Sequence, residues 1–286
     1  MECSNCDVSW EVADKDTSGV KIIKKGSGWL QDFLFLSDVH FDSPHCDKKL
    51  LKTLLDEAVE RKAPIVILGD WYDAMQSRND PRRNKDELGE EYNVGQYLDR
   101  LVMESFHFLE EYKKHIVLIG EGNHDSAIRK KLETDLIWRL TRELGVQHLG
   151  YAGFMMFQFA HPKGNHRYRK ELFYHHGAGG GGEVTKGTMR AQRQAAWVDA
   201  DIYVGGHIHE SWRMDQKRLR LTSGGRPITT DTLHVCIPAI KDEFDLRSGY
   251  HIEKGRPPKP IGGMWIRFCH NPRKHGNIAF DALKAD

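Results

Sequence analysis

Side chains able to bind a metal ion recur along this 286-residue chain, each time just after a run of hydrophobic residues. They are Asp38 and His40, Asp70, Asn123 and His124, His175 and His176, and His207 and His209. All of them offer an oxygen or an imidazole nitrogen, a donor set that suits divalent Mn, Fe, Co, Ni or Zn. They outnumber the four ligands of one tetrahedral ion and suffice for two ions. The pattern therefore indicates a site for two metal ions.

The first pair follows a strongly apolar segment. Residues 33–40, FLFLSDVH, predict a buried strand that continues into Asp38 and His40. In an extended chain, residues two apart share a face, so the two side chains would emerge side by side. Taken singly, Asp38 could be a loop carboxylate and Asp70 a helix cap. The recurrence of similar clusters downstream favours metal binding.

The elements that would carry these residues alternate in the first half of the chain. Hydrophobic strands are predicted at 33–40, 64–68 and 116–119, and each is followed by a segment of helical periodicity. The helices are predicted to begin at the N-cap Asp47 and to span 94–114 and 126–144. This order predicts an α/β fold with parallel neighbouring strands, whose carboxyl ends bind ligands.

The second half is richer in strands. Short strands are predicted at 154–159, 172–175, 201–204, 219–222, 233–237 and 264–268, with one helix at 188–198. Many strands with few helices predict a second sheet packed on the first. We divide the chain into an N-terminal extension (1–28) that could supply an edge strand, a main domain (29–272) and a C-terminal tail (273–286).

The composition fits a folded enzyme. Lys and Arg number 42 against 41 Asp and Glu, and the net charge of +1 excludes a strongly basic nucleic-acid coat. The five cysteines form no disulfide framework, so we expect a reducing, cytoplasmic setting. Cys3 and Cys6 could be half of a zinc knuckle or part of a frayed N-terminus. No segment has the features of a signal peptide or a membrane span, so no membrane partner is expected.

Five motifs occur in a fixed order: D-x-H at 38–40, GD-x-x-D at 69–73, GNHD at 122–125, a His at a strand end, and G-H-x-H at 206–209. Together they resemble the calcineurin-like metallophosphoesterase superfamily. The resemblance implies a four-layer sandwich, in which helices flank two mixed β-sheets and two metal ions bind at the top. It implies a first ion on Asp38, His40 and His209, a second on Asn123, His176 and His207, and Asp70 bridging both.

One ligand remains a choice between neighbours. Strand alternation lets only one of His175 and His176 face the site. We choose His176, next to Gly177, because the superfamily's ligand commonly occupies the last strand position. Asp73 fits a partner of a ligand better than a ligand. The resemblance also implies that His124 acts as general acid, oriented by Asp125, while a metal-bridging hydroxide attacks the phosphorus.

The substrate is less narrowly indicated. Protein Ser/Thr phosphatases of the superfamily carry GD-x-V-D-R-G and R-G-N-H-E, whereas this chain has GDWYDA and EGNHD and lacks both arginines. The pattern is more similar to phosphodiesterases, pyrophosphatases and nucleases. Basic residues lie in three segments next to the motifs: 161–170 with Arg167, the glycine run 177–182 followed by Arg190 and Arg193, and 213–220. Each segment could equally be a solvated face.

We therefore predict a phosphodiesterase that uses two divalent ions, most simply Mn(II), and acts on DNA or RNA. One alternative is hydrolysis of a small nucleotide, a cyclic nucleotide or a nucleotide pyrophosphate. Another is a non-catalytic scaffold with the same fold. Scaffold members of the superfamily typically lose metal ligands, and this chain keeps the full set.

Overall fold

Two mixed β-sheets form the centre of the computed structural model, which describes residues 6–26, 28–74, 90–92, 94–161, 167–222, 224–244 and 255–286. The strands are β1 (Cys6–Asp14), β2 (Thr17–Lys24), β3 (Leu30–Leu36), β4 (Ile65–Leu68), β5 (Ile116–Gly120), β6 (Gln147–His148), β7 (Ala152–Ala160), β8 (Arg167–His175), β9 (Ile202–Gly205), β10 (Trp212–Leu221), β11 (Pro227–Cys236), β12 (Gly263–His270) and β13 (Ile278–Ala285). The helices are α1 (Lys48–Glu60), α2 (Tyr97–Leu109), α3 (Asn123–Leu132), α4 (Leu136–Leu144) and α5 (Thr188–Gln194).

The six-stranded sheet has the order β13-β12-β3-β4-β5-β6, and the seven-stranded sheet has the order β1-β2-β7-β8-β9-β11-β10. Strands β3 to β6 are parallel to one another, as the alternation of strands and helices predicts. In the other sheet β8, β9 and β11 are parallel to one another. Strand β7 pairs antiparallel with β8, and β10 pairs antiparallel with β11. The carboxyl ends of β3, β4 and β5 therefore face one edge of the sandwich.

Strand β3 is buried on both faces because the six-stranded sheet has a layer on each side. Phe33 and Phe35 pack into the cluster between the two sheets, where Phe33 meets Phe157 edge-on with ring centroids 5.1 Å apart. Leu34 and Leu36 face the cluster formed with the helices. Each such side chain contributes about 1.5–3 kcal/mol by burial. Helices α1, α2 and α4 cover this sheet, and α5 lies beyond the other one, so the predicted four-layer sandwich is confirmed.

Three strands, β1, β2 and β13, come from the segments outside the predicted main domain. Strands β1 and β2 extend the seven-stranded sheet, with β2 parallel to β7. Strand β13 is the edge of the six-stranded sheet and pairs with β12. Cys6 opens β1, and Cys3 lies outside the described residues. The boundaries at 28 and 272 stay predictions.

Several predicted elements differ in their bounds. The helix predicted at 126–144 is two helices, because Glu133 takes a left-handed φ of 54° and Asp135 caps α4 by accepting from Trp138 N at 2.8 Å. The predicted cap of α1 is confirmed, since Asp47 accepts from Lys49 N and Leu50 N. The strand predicted at 219–222 spans Trp212–Leu221, where alternate residues are exposed at the sheet edge. Among the described residues no helix has the length and apolarity to cross a membrane.

Candidate metal centre

The loops that follow the strands bend sharply where the predicted metal ligands lie. The strand predicted to reach His40 ends at Leu36, and the chain then turns at residues with positive φ. Five of the seven predicted ligands share this left-handed conformation: Asp38 (52°), His40 (50°), Asp70 (49°), His207 (70°) and His209 (52°). Non-glycine residues rarely adopt it, and such strain concentrates at functional sites. The side-by-side extended arrangement expected for Asp38 and His40 is therefore wrong, although both residues reach the site.

Backbone hydrogen bonds hold the two first loops against each other. Asp38 N donates to Gly69 O at 3.1 Å, and His40 N donates to Asp70 O at 3.1 Å. These bonds continue the pairing of β3 with β4 beyond the ends of both strands. They fix the positions from which the carboxylates and imidazoles project, since the left-handed residues cannot continue a regular ladder.

Asp38, His40 and His209 form the first cluster of potential ligands, with one donor atom from each within 4.8 Å of the others. The Asp38 carboxylate is anchored through Oδ2, which accepts from His207 N at 2.8 Å and lies 2.6 Å from Ser37 Oγ. Its Oδ1 lies 3.5 Å from His209 Nε2. His40 presents Nδ1 to Asp73 Oδ1 at 2.8 Å, which leaves Nε2 directed at the cluster.

Asp70, His176 and His207 form the second cluster under the same distance limit. His176 Nδ1 lies 3.0 Å from Leu68 O, and a carbonyl oxygen can only accept, so Nδ1 carries the proton. Its Nε2 lies 3.1 Å from Asp70 Oδ2 and 3.2 Å from Asn123 Oδ1. Asp70 therefore stands between the two clusters, and a further group of donor atoms within 4.8 Å joins it to His40 and His124.

The donor atoms of these clusters fit a divalent cation. Asp38 Oδ1 and His40 Nε2 are buried and have no hydrogen-bond partner within the described chain. The Asn123 side-chain amide lies beside His207 Nδ1, His176 Nε2 and Asp70 Oδ2, and with its oxygen and nitrogen exchanged its NH2 group donates to all three. Lone pairs that converge in a buried place are costly without a positive partner. Oxygen and imidazole donors without thiolates agree with a borderline metal such as Mn or Zn.

Glycines make the close approach of these loops possible. A Cβ on Gly122 would lie 2.0 Å from Asp70 Oδ1. A Cβ on Gly206 would lie 2.2 Å from Ser37 Oγ and 2.4 Å from Asp38 Oδ2. A side chain at either position would collide with Asp70 or with Ser37 and Asp38. This collision explains why the GNHD and G-H-x-H motifs both begin with glycine.

The electrostatics of the centre favour charged forms of its residues. Burial would raise the pKa of Asp70, but His176 and His124 hold the pKa of that carboxyl far below its usual range. Burial would lower the pKa of His176, but Asp70 and Asp38 raise it to about 10. The charged form of each group is stabilised by the opposite charge of the other. A metal cation between the carboxylates could therefore take the place of the second proton on His176.

His124 lies at the edge of the clusters, with 13% of its side chain exposed. Its Nδ1 is 2.7 Å from the backbone oxygen of Asp73, and its Nε2 is 3.9 Å from Asp70 Oδ2. Asp125 does not orient this ring, contrary to prediction. The Asp125 carboxylate instead accepts from Asp70 N at 2.8 Å and Gly122 N at 2.9 Å, and so ties two loops together. Asp73 takes the orienting role because the loop after β4 carries it under the ring.

The structure places the rings of His175 and His176 in different surroundings. His176 is fully buried between Asp38 and Asp70, whereas His175 ends β8 and accepts from Gly177 N at 3.0 Å through Nδ1. Burial and the neighbouring His176 lower the pKa of His175. Among the residues that the structure describes, the ring of His176 belongs to a cluster of potential ligands and that of His175 does not.

The predicted substrate residues lie at different distances from the centre. Arg190 is near it, with guanidinium nitrogens 3.4 Å from Gly179 O and Gly180 O in the glycine run after His176. Arg193 is exposed on the same short helix. Arg167 begins β8, at the end opposite His175 and about 26 Å away at ~3.3 Å per residue. The structure therefore separates Arg167 from the clusters, and Lys163 and His166 lie outside the described residues.

The third basic segment is neutralised by neighbouring carboxylates. Arg213 pairs with Asp215 at 2.9 Å, and Lys217 pairs with Asp231. Arg218 and Arg220 both contact Asp199, at 2.8 and 2.6 Å. Strand β10 therefore presents ion pairs rather than a continuous positive track.

Sequence analysis missed four residues that support the centre. Ser37 holds the Asp38 carboxylate, and Asp42 accepts from Asp73 N at 2.7 Å and Ala74 N at 3.0 Å. Lys241 and Glu243 approach from the loop after β11, where Lys241 Nζ lies 2.9 Å from Glu243 Oε1. Ser37 and Asp42 flank the D-x-H motif and could have been singled out. Lys241 and Glu243 carry no local signal.

The solved structures that are similar to this chain differ strongly from it in sequence. A single mutant of Vps29 from Entamoeba histolytica is 11% identical, with 90% of this chain and 100% of that chain covered and a TM-score of 0.37. Vps29 from Chaetomium thermophilum is 9% identical, with 89% and 96% covered and a TM-score of 0.38. Protein TM1076 of Thermotoga maritima is 11% identical, with 89% and 99% covered and a TM-score of 0.33. No curated protein matches the chain in sequence.

A family comparison is more informative. The profile of the calcineurin-like phosphoesterases matches residues 32–211, which is more than half of the chain. That range contains Asp38, His209 and every predicted ligand between them, on the strand ends described above. The resemblance inferred from the motifs is confirmed. The chain belongs to the calcineurin-like phosphoesterase family.

Proposed function

We propose that this protein hydrolyses phosphodiester bonds with the help of two divalent metal ions. The observation that carries the proposal is the pair of buried donor clusters joined through Asp70. Asp38, His40 and His209 would hold one ion, Asn123, His176 and His207 the other, and Asp70 would touch both. Ions bound there would supply Lewis acidity, activating a water molecule and offsetting the charge of the phosphoryl group.

The chain's own groups complete the chemistry. The Asp73 carbonyl accepts the Nδ1 proton of His124, which leaves Nε2 on the side of the clusters. When His124 is doubly protonated, Nε2 would give its proton to the departing alkoxide oxygen. Asp125 contributes by fixing the backbone of Asp70 and Gly122 rather than by contacting the ring.

Nucleic acid is the first substrate we propose, because phosphodiesters are its linkages and Arg190 contacts the glycine run that follows His176. A nucleotide of limited length is the second candidate. It is favoured by a specific observation: the cations of β10 are paired with Asp199, Asp215 and Asp231, which weakens binding of a long polyanion along that strand.

The decisive experiment is metal reconstitution. Protein stripped with a chelator and reloaded with Mn(II), the ion we propose, should bind two equivalents and hydrolyse bis-p-nitrophenyl phosphate faster than p-nitrophenyl phosphate. His207→Ala should lose this activity, and His107→Ala, which alters an exposed imidazole on α2, should keep it. Reloaded wild-type protein that is no faster than His207→Ala would refute the proposal. Single- and double-stranded DNA and RNA, cyclic nucleotides and nucleotide pyrophosphates then separate the substrate candidates.

The role of His124 has its own test. His124→Ala should keep both metal equivalents and lose about 10²–10⁴-fold in kcat on diesters with alkyl leaving groups. The loss on p-nitrophenyl esters should be small, because p-nitrophenolate departs without a proton. Equal losses on both classes of ester would remove the general-acid role.

A further inference from the structure

Lys241 occupies an unusual place beside the first cluster of donors. Its side chain is only 4% exposed. In folded proteins a lysine is almost never buried without a partner for its charge. Its Nζ lies 2.9 Å from Glu243 Oε1 and 3.5 Å from Asp73 Oδ1, so one ammonium group bridges two buried carboxylates. An isolated β-bridge between Cys46 and Lys241 fixes the backbone from which this side chain extends.

The two carboxylates contact the two imidazoles of the first cluster. Asp73 Oδ1 lies 2.8 Å from His40 Nδ1, and Glu243 Oε2 lies 4.0 Å from His209 Nδ1. A histidine that binds a metal through one ring nitrogen needs an acceptor for the other, which fixes its tautomer and ring orientation. In this arrangement the same lysine holds both carboxylates, of which Asp73 is within hydrogen-bond distance of its imidazole and Glu243 is at ion-pair distance from His209.

The charges explain why a lysine suits this position. Two buried carboxylates that share a site repel each other, and a cation between them offsets this repulsion. The Lys241 ammonium takes that place, 3.5 Å from Asp73 Oδ1 and 2.9 Å from Glu243 Oε1. The same group therefore holds the carboxylate that faces His40 and the carboxylate that faces His209.

We propose that Lys241 is a positioning residue for the first metal ion, acting through Asp73 on His40 and through Glu243 on His209. This inference rests on the proposed function. It adds residues that lie beyond the 32–211 range of the family match. It also predicts an asymmetry, because the imidazoles of the second cluster have other partners: His176 Nδ1 contacts the carbonyl oxygen of Leu68.

The test is a comparison of Mn(II) binding isotherms by electron paramagnetic resonance. Lys241→Met should weaken one of two sites by about 10- to 100-fold and leave the other unchanged. Lys241→Arg, which keeps the charge, should recover most of the affinity. Lys170→Met is the matched control. Lys170 lies on β8, and the substitution breaks its ion pair with Asp201, whose two side chains are only 12% and 16% exposed. Equal affinities of Lys241→Met and wild-type protein at both sites would overturn the inference.

A second readout does not depend on the affinity of the lysine variant. In the Zn(II)-loaded protein, ¹⁵N spectra should show the ring signals of His40 and His209 shifted by Lys241→Met and that of His176 unchanged. If Lys241→Met does not fold, Glu243→Gln carries the test, and it must shift His209 while sparing His176. Unchanged His209 signals in Glu243→Gln would overturn the inference.

These outcomes separate the two proposals. Wild-type protein that binds two Mn(II) ions but cleaves no phosphoester would refute the proposed function and leave the role of Lys241 standing. Wild-type protein that binds neither Mn(II) nor Zn(II) would overturn both.

Discussion

His234 gives a quantitative prediction about acid stability. It is fully buried on β11, its ring stacks on Tyr203 with centroids 4.6 Å apart, and neither ring nitrogen has a hydrogen-bond partner within the described chain. Burial, together with the nearby Arg218, lowers its pKa from 6.5 to about 4. Between these two values the unfolded chain binds a proton that the folded protein excludes. The free energy of unfolding must therefore fall as the pH falls through this range.

The size of the effect follows from the shift. A difference of about 2.5 pKa units at 1.36 kcal/mol each makes the contribution of His234 about 3 kcal/mol smaller at pH 4 than at pH 7. His234→Phe keeps a flat ring against Tyr203 and cannot be protonated. The variant should also be at least as stable as wild type at pH 7, because an unpaired buried N–H costs about 1–3 kcal/mol.

Urea unfolding followed by circular dichroism at intervals from pH 7 to pH 4 measures this difference. Subtracting the wild-type curve from that of His234→Phe cancels the carboxylates that both proteins share. The difference should grow toward low pH and level off near pH 4. His234→Leu, tested alongside, separates the loss of the proton from the change in ring size. A difference that stays flat over the whole range would refute the reasoning.

Three further predictions concern the centre and its supports. Gly206→Ala should fold but lose at least tenfold in Mn(II) affinity at the first cluster, because its Cβ would displace Ser37 and Asp38. The control Gly95→Ala should bind Mn(II) normally, because a Cβ at that position meets nothing within 4 Å. Asp32→Asn should lower the free energy of unfolding by about 1–3 kcal/mol in urea titrations, because it weakens contacts with Arg267 at 2.7 and 2.9 Å and Arg61 at 3.2 Å. Mn(II) at about 100 times its Kd should add about 2.7 kcal/mol for each ion bound, about 5.4 kcal/mol for two, and raise Tm by about 10 °C over chelated protein; an unchanged Tm would contradict metal binding to the folded state.

The layers of the fold could be predicted because their signals are local. Leu34, Leu36 and the phenylalanines between them form a continuous apolar run, which a strand covered on both faces requires. The capping carboxylate of Asp47 similarly marks the start of α1. The break between α3 and α4 was not predicted because apolar periodicity runs through it. Predicting it would have required recognising Asp135 as the N-cap of a second helix.

The identities of the clustered residues were also predictable, but their conformations were not. An extended chain would have placed Asp38 and His40 on one face, yet both take left-handed φ angles and project from a turn. This conformation is uncommon even for Asp and His, which adopt it more often than other non-glycine residues, so their presence alone does not predict it. It persists because backbone bonds such as that of His40 N to Asp70 O fix the loop from outside.

The supports of the first cluster mark the limit of inference from motifs. Lys241 contacts Asp73 from 168 positions further along the chain, and the β-bridge that places it joins the segment after β11 to Cys46, between β3 and α1. No periodicity connects such distant residues. A motif can therefore identify the atoms that would touch an ion, while the groups that orient those atoms depend on the topology of the whole sandwich. Because His40 contacts Asp73 and Asp73 contacts Lys241, a substitution well outside the motifs should still weaken metal binding, although it acts through other residues.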